Sequence, residues 1–424
     1  MANFTDLIYG YTKKVPTKNG LKRYINFDNA ASTPAFREVI ALICREAQWY
    51  ASIHRGTGYK SQYSTERYEA ARQEIARFVG ANPHHDTVIF TKNTTDAINK
   101  VSHYLPKLPG AIVVYTQVEH HSNELPWFPY PHHRIGLKGD EIDLGALEQF
   151  LSSAAGKVKL LAVCGASNVT GYVPPIHTLA EMAHRIGAKI LVDGAQLIAH
   201  RPVHLYPPNH PWHLDFLAFS GHKMYAPFGV GVLIGPRRLF EGGPPSQVGG
   251  GTVKGVGPSE IIWNDPPDIE EAGSPNVLGA LAVAEAARIL TRLGWAQLIR
   301  HEDQLLKYAL DQLSKIPGII IYNQNHGLQD RVGVISFNLR GIHHYQLAKI
   351  LADEWGIGVR NGCFCARGYV QKLLNLDPCQ INSTRSPKTI SGPLTPGMVR
   401  ISFGCYNQIE EVDVLVKALR EISQ

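Results

Sequence analysis

Ser220-Gly221-His222-Lys223 follows the apolar run Phe216-Leu217-Ala218-Phe219 and precedes the glycine-rich Phe228-Gly229-Val230-Gly231. A lysine just beyond a buried strand is a candidate nucleophile, because desolvation strips its proton and frees the amine to attack a carbonyl. Other polar groups stand at comparable points. Thr94 and Thr95 follow the apolar run 88–91, and Glu119, His120 and His121 follow 111–115. Ser167 and Asn168 follow 158–163, and Asp193 and Gln196 follow 190–192. Each residue alone has a plain structural use as a cap, a turn former or a loop side chain. Together they supply hydroxyls, an imidazole, amides, a carboxylate and an amine at five strand ends, where open α/β sheets bind ligands. Pyridoxal phosphate uses the whole set. Its aldehyde takes a lysine as a Schiff base, its ring nitrogen takes a carboxylate, and its phosphate suits a helix N-terminus with hydroxyls. No Gly-x-Gly-x-x-Gly opens a helix, which argues against a dinucleotide site.

These positions need a framework of alternating strands and helices, and the hydrophobic spacing predicts one. A helix over 67–79 carries Ala71, Ile75, Phe78 and Val79 on one face and stops at Gly80. A second, capped by Thr94 and Thr95, carries Ile98, Val101 and Leu105; a third carries Leu179, Met182, Ala183 and Ile186 and ends at Gly187. Continuous apolar strands between such helices imply a mostly parallel sheet covered on both faces. Gly and Pro accumulate over 241–275, after which 277–293 reads as one long apolar helix bridging two units. Strands at 333–339, 357–360 and 399–403 with helices at 345–354 and 409–422 describe a smaller α+β unit. Asn407 and Glu410 have capping-box spacing at the last helix. The expected organisation is an N-terminal arm over 1–23 packing on the small domain, a large cofactor-binding domain over 24–295, and a small C-terminal domain over 296–424. A polar insertion occupies about 377–396.

Composition excludes several classes. The 424 residues are 44% hydrophobic and 18% charged with a formal charge of +6, and no dense Lys/Arg run marks a nucleic-acid surface. Six scattered cysteines do not make a disulfide framework, and only Cys363 and Cys365 are close neighbours. Nineteen histidines bring no His-Glu-x-x-His and no second cysteine pair, so no metal site is expected. Neither a signal-length apolar stretch in residues 1–20 nor a bilayer-length segment is present, so the expected location is the cytoplasm, without membrane contact.

The chain resembles the cysteine desulfurases and selenocysteine lyases of the class V aminotransferases over about 24–422. The resemblance rests on Phe27-Asp28-Asn29-Ala30-Ala31, His54-Arg55-Gly56, Asn93-Thr94-Thr95-Asp96-Ala97-Ile98-Asn99 and Glu119-His120-His121-Ser122-Asn123. It continues through Ser167-Asn168-Val169, Val192-Asp193-Gly194-Ala195-Gln196, Ser220-Gly221-His222-Lys223, Gly249-Gly250-Gly251-Thr252 and Val399-Arg400-Ile401-Ser402-Phe403. It implies pyridoxal-phosphate fold type I, like aspartate aminotransferase. By the resemblance, Lys223 is the Schiff-base lysine, Asp193 pairs with the pyridine nitrogen and Gln196 with the phenolic oxygen. His120 stacks on the ring and joins Lys223 and Cys365 in the catalytic set. Thr94, Thr95, Ser220 and His222 hold the phosphate. Arg55 and Thr252 complete the site across a homodimer interface. Arg400, Asn168, Arg360 and the backbone near Ala30 bind the substrate carboxylate, with Asn168 also beside the cofactor.

The implied reaction converts L-cysteine to L-alanine, with sulfur passed to Cys365 as a persulfide and onward to a possible acceptor protein. Arg360 and Arg367 favour the Cys365 thiolate. The sequence departs from many relatives at Cys363-Phe364, where they carry two histidines. Cys-Phe-Cys resembles the loop of molybdenum-cofactor sulfurases, whose additional C-terminal domain is not expected in a chain ending at Gln424. Cys363 is a candidate to resolve or back up the Cys365 persulfide. Selenocysteine lyase, C–S lyase, aminotransferase or epimerase chemistry on the same fold, or a degenerate sulfur-relay scaffold, are the alternatives.

Overall fold

The structure is a computed structural model; it describes residues 3–105, 110–324, 326–376 and 395–424. Most of the expected 377–396 insertion, with Cys379, lies outside the described residues. Among those described, no helix is long and apolar enough to cross a membrane.

Seven strands form the main sheet, in the order Asp86–Thr91, Gly231–Pro236, Phe216–Ser220, Lys189–Asp193, Val158–Cys164, Ile112–Thr116 and His132–Ile135. All neighbours pair in parallel except Gly231–Pro236, which is antiparallel to both of its partners. The expected parallel, doubly covered sheet is therefore present with one reversed strand. Period-two alternation splits the buried side chains between the faces. Val88, Phe90, Leu161, Val163, Val192 and Phe219 enter one core, and Ile89, Leu160, Ala162, Leu191 and Ala218 the other.

The strand Gly231–Pro236 is not evident from the sequence, where its entry reads as a glycine-rich turn. The chain leaves Ser220 through one 3-10 turn, Gly221–Lys223, and folds back so that Ser220 pairs with Gly231. A Cβ on Gly231 would lie 2.5 Å from both the Cα and the carbonyl carbon of Asn93. Glycine is what lets this strand touch the start of the next helix.

The helix expected over 67–79 runs Tyr59–Val79, ending at the left-handed Gly80. Its first two turns bury Ser61 and Ser64, so they show no apolar period. It packs against Val277–Leu293, whose bounds match the expectation. Asn93, not Thr94 or Thr95, caps the helix Thr94–Tyr104, its side chain accepting from Asp96 N. The last helix, Ile409–Ile422, is boxed by Gln408 and Glu411, one residue beyond the expected pair.

A second core surrounds an antiparallel sheet of Ile319–Ile321, Val334–Leu339, Met398–Ser402 and Arg360–Gly362. Helices Trp295–Ser314, His344–Trp355 and Ile409–Ile422 cover it. The first of these is absent from the expected elements. Ile25 and Phe27 are buried in this core, and the strand Ile25–Asn26 pairs in parallel with Ile357–Gly358. Ser402 N donates to Phe27 O at 2.7 Å. The hairpin Lys14–Thr17/Gly20–Arg23 lies beside the same unit, through Lys18 N to Asp353 O and Arg23 to Glu411, both at 2.7 Å.

Candidate active site

Beyond the carboxyl ends of the parallel strands lies a cavity of about 270 Å³, walled on its other side by Arg360, Phe364, Cys365 and Arg400. Thirteen of the fifteen residues to which the resemblance gives a binding or catalytic role line it: Ala30, Thr94, Thr95, His120, Asn168, Asp193, Gln196, Ser220, His222, Lys223, Arg360, Cys365 and Arg400. Arg55 and Thr252 do not. Arg55 lines a separate cavity with Gly250 and Gly251, and the Thr252 hydroxyl donates to Gly249 O at 2.8 Å.

Each cluster in the cavity has a local cause. The first turn of helix Thr94–Tyr104 points its free N–H end inward, favouring an anion. Ser220, the last residue of its strand, fixes that turn: its Oγ accepts from Thr94 N at 2.8 Å and lies 2.6 Å from Thr94 Oγ1. Thr95 Oγ1 is 2.7 Å from Ser122 Oγ. Ser122 N donates to His120 Nδ1 at 3.1 Å. A backbone N–H can only donate, so Nδ1 is the bare nitrogen and Nε2 carries the ring proton.

Burial depresses the basicity of every base at this floor. His120 is pushed down to about 3 by burial, with Lys223, His121 and Arg400 adding to the effect. His222 falls to about 4 through burial and the adjacent Lys223. Lys223 is itself lowered by burial, against the pull of Asp193. Burial raises the Asp193 carboxyl, with Lys223 and the N–H of Ala195 (3.0 Å) opposing. An amine with a weakened hold on its proton thus shares a partly buried floor with one carboxylate and two neutral imidazoles. Gln196 Nε2 donates to Ala30 O at 2.6 Å and ties the strand-end loop to the N-terminal segment.

Arg400 stands opposite. Its Nη1 donates to Asn168 O at 2.8 Å, its Nη2 meets Asp28 Oδ1 at 3.1 Å, and its guanidinium lies 4.9 Å from the centroid of the Phe364 ring. Its Nε is buried with no hydrogen-bond partner among the described residues. Burial lowers Arg400 to about 10, with Asp28 opposing, so it stays a cation at neutral pH. Arg360 reaches the same carboxylate, Nη1 to Asp28 Oδ2 at 3.9 Å. Asp28 is a site residue to which the sequence assigns no role, because its partner is remote in the chain.

Cys365 sits exposed on a turn in which Phe364 and Cys365 both have φ of +53°. Such left-handed geometry is costly for non-glycine residues and persists only where the surroundings impose it. Here Asn168 Nδ2 donates to Phe364 O and His121 N to Cys365 O, both at 2.7 Å. Cys363 is absent from the cavity lining. Its thiol donates to Pro396 O at 3.4 Å, and burial raises its pKa.

The donor set fits pyridoxal phosphate: an anion-binding helix end with hydroxyls, a buried carboxylate for a ring cation, an imidazole face and an amine of reduced basicity. A probable cysteine desulfurase of Mycolicibacterium paratuberculosis is 35% identical over 420 residues, covering 96% of this chain; the chain spans 56% of that relative's length. A cysteine desulfurase of Klebsiella pneumoniae is 35% identical over 410 residues, with 93% of this chain and 92% of the relative covered. The solved structure of a cysteine desulfurase from Thermococcus onnurineus superposes with a TM-score of 0.82 at 32% identity, covering 94% of each chain. One from Escherichia coli gives 0.77 at 28%, again over 94% of each. The fold is that of the type I pyridoxal-phosphate enzymes. The family profile described as aminotransferase class-V matches residues 25–415, and the chain belongs to that family.

Proposed function

We propose that the chain is a pyridoxal-phosphate-dependent cysteine desulfurase, taking L-cysteine to L-alanine and leaving the sulfur as a persulfide on Cys365. The observation that carries this reading is the single cavity lined by Lys223, Asp193, Arg400 and Cys365. Lys223 would tether the cofactor's aldehyde, with Asp193 at its ring nitrogen, Gln196 at its phenolic oxygen and His120 against the ring. Thr94, Thr95, Ser220 and His222 would hold the phosphate. Bound there, the cofactor supplies an electron sink for bonds broken at the substrate's amino-bearing carbon.

The remaining work falls to side chains. Arg400 receives the substrate carboxylate, for which its planar fork is suited, and Asp28 gives way. Lys223, its charge disfavoured by burial, accepts and returns protons at the substrate carbons. The Cys365 thiolate attacks the substrate sulfur: the S–S bond forms, the carbon–sulfur bond breaks, and the carbon keeps the electron pair and takes a proton, giving alanine. Cys365 rather than Cys363 is offered to the substrate, since of these two only Cys365 lines the cavity; Cys164, the other cysteine there, is buried with its thiol pKa raised by burial. An exposed Cys365 leaves the persulfide open to an acceptor protein.

We also propose that a homodimer completes the site through Arg55 and Thr252. Supporting this, Tyr50, Tyr59, Val248, Val256, Ile261 and Ile262 are exposed on the two segments that frame the Arg55 cavity. Light scattering giving twice the chain mass is the expected result.

The main reading is tested by product analysis with L-cysteine. Wild type yields alanine and reducible sulfur in equal amounts, Cys363→Ala retains turnover and Cys365→Ala loses it. Alanine at undiminished rate from Cys365→Ala refutes the nucleophile; pyruvate as the product points to C–S lyase chemistry.

A further inference from the structure

At the far end of strand Asp86–Thr91 from the cavity, three side chains of metal-ligating type converge. Ligand atoms of His85, Asp86 and His213 all lie within 4.8 Å of one another. The strand's six residues put them about 20 Å from the active-site end.

His213 is the telling member. It is 2% exposed, and its Nδ1 lies 2.8 Å from Tyr206 O and 3.1 Å from Leu205 O. Carbonyls only accept, so Nδ1 carries the proton and Nε2 keeps a bare lone pair. That Nε2 is buried with no hydrogen-bond partner among the described residues. An unpaired buried acceptor is costly, and a histidine held by Nδ1–H to a backbone carbonyl is oriented as metal-ligating histidines are.

Asp86 and His85 complete the geometry. Asp86 Oδ2 accepts from Asn82 N at 2.7 Å, which fixes the carboxylate, while Oδ1 meets His85 Nδ1 at 2.7 Å. The His85 side chain is 35% exposed, which gives an entry path from solvent. The backbone on each side is anchored: Arg237 N donates to His85 O at 2.7 Å and Leu205 N to Val79 O at 2.9 Å. His184, whose ring is 6.4 Å from His213, is committed to Asp215 Oδ2 and Pro211 O and is not a ligand.

We propose that His85, Asp86 and His213 bind a divalent transition metal of the zinc class, with water in the fourth position. Two imidazoles, one carboxylate and a water are a recurrent tetrahedral set for such ions. The ion takes the place of the proton between His85 and Asp86 and provides the partner that His213 Nε2 lacks. Tetrahedral coordination needs ligand separations of roughly 3.3 Å, so the proposal requires the three ligand atoms, now within 4.8 Å of one another, to draw together around the ion. Held this way, the 204–214 segment is pinned to the entry of the strand whose far end carries the Thr94 turn.

The test is titration of the chelator-treated holoenzyme with Co2+ and Zn2+ in a Cys365→Ala background, which removes the exposed thiol as a competitor. One equivalent of Co2+ is expected to give tetrahedral visible bands, and Zn2+ to displace it and raise Tm in a concentration-dependent way. His85→Gln, at a half-exposed position that leaves folding intact, and His213→Gln each weaken binding by at least about tenfold. His210→Gln, outside the triad on the same loop, leaves binding unchanged. Absence of stoichiometric binding, or equal affinity in His85→Gln and its parent, overturns the proposal.

Discussion

Replacing Asp28 by Asn is predicted to tighten the binding of L-cysteine. Without substrate, the Arg400 guanidinium is shared between Asn168 O and the Asp28 carboxylate, 3.1 Å away. The incoming carboxylate must displace Asp28 or sit beside a like charge, and both oppose binding. A charge-assisted hydrogen bond between buried groups contributes about 1.5–3 kcal/mol. Arg400 is 3% exposed but Asp28 is 22% exposed, so solvent discounts the competition to about 1 kcal/mol. Asn retains shape and a weak acceptor, which keeps Arg400 in place while removing the charge. The expected result is a KM for L-cysteine roughly fivefold lower with kcat nearly unchanged, since the carboxylate contact is the same in ground and transition states. An inert carboxylate inhibitor should gain affinity by the same factor. A KM equal to or above wild type, in a variant of unchanged Tm, refutes the assignment of Asp28 as the competitor and weakens that of Arg400 as the clamp.

Two further outcomes follow from the same structure. Glu119 is buried beneath the floor, where it accepts from Thr116 Oγ1, from Cys164 N and from Asn123 Nδ2; burial, with Asp193 adding, raises its carboxyl to about 8. The native state therefore binds a proton that the unfolded chain releases near the ordinary carboxylate value. Its contribution to stability falls as pH rises from about 4.5 to 8. Glu119→Gln, a fixed neutral mimic, removes that loss, so its Tm relative to wild type should climb across this window; a flat difference shows that Glu119 is ionised in the fold. Gly231→Ala forces a Cβ to within 2.5 Å of Asn93 backbone, which cannot yield without moving the Thr94 turn. The expected cost is about 1–3 kcal/mol by chemical denaturation, with weaker retention of the phosphate-bearing cofactor; wild-type retention shows that the cradle tolerates the shift.

What the sequence disclosed, and what it withheld, follows from the range of the interactions. Strand-end side chains such as Asp193 and Lys223 are legible because an apolar run locates the strand and the next polar residue marks its end. The helix Val277–Leu293 is apolar enough to bound itself. Features fixed by distant partners are not legible. Asp28 has no local signature because its role comes from Arg400, and the left-handed Cys365 comes from bonds to Asn168 and His121. The strand Gly231–Pro236 hides behind a turn, and Asn93 takes the cap from two threonines that propensity ranks nearly as well. The His85–Asp86–His213 cluster defeats motif reading, since an adjacent pair at the start of strand Asp86–Thr91 meets a third member far along the chain.

The strand Ile25–Asn26 has a consequence for biosynthesis. It is completed by Ile357–Gly358, and Phe27 is tied to Ser402, so the residues holding Asp28 come from opposite ends of the chain. On the ribosome the early segment emerges long before its partners exist and waits while the whole main sheet between them is made. The main sheet can close first, from contacts of moderate sequence separation, but the substrate side of the cavity cannot. A nascent chain halted before residue 398 would lack Arg400 and the strand Met398–Ser402 that pairs with Arg360–Gly362, so the substrate side of the cavity would stay incomplete.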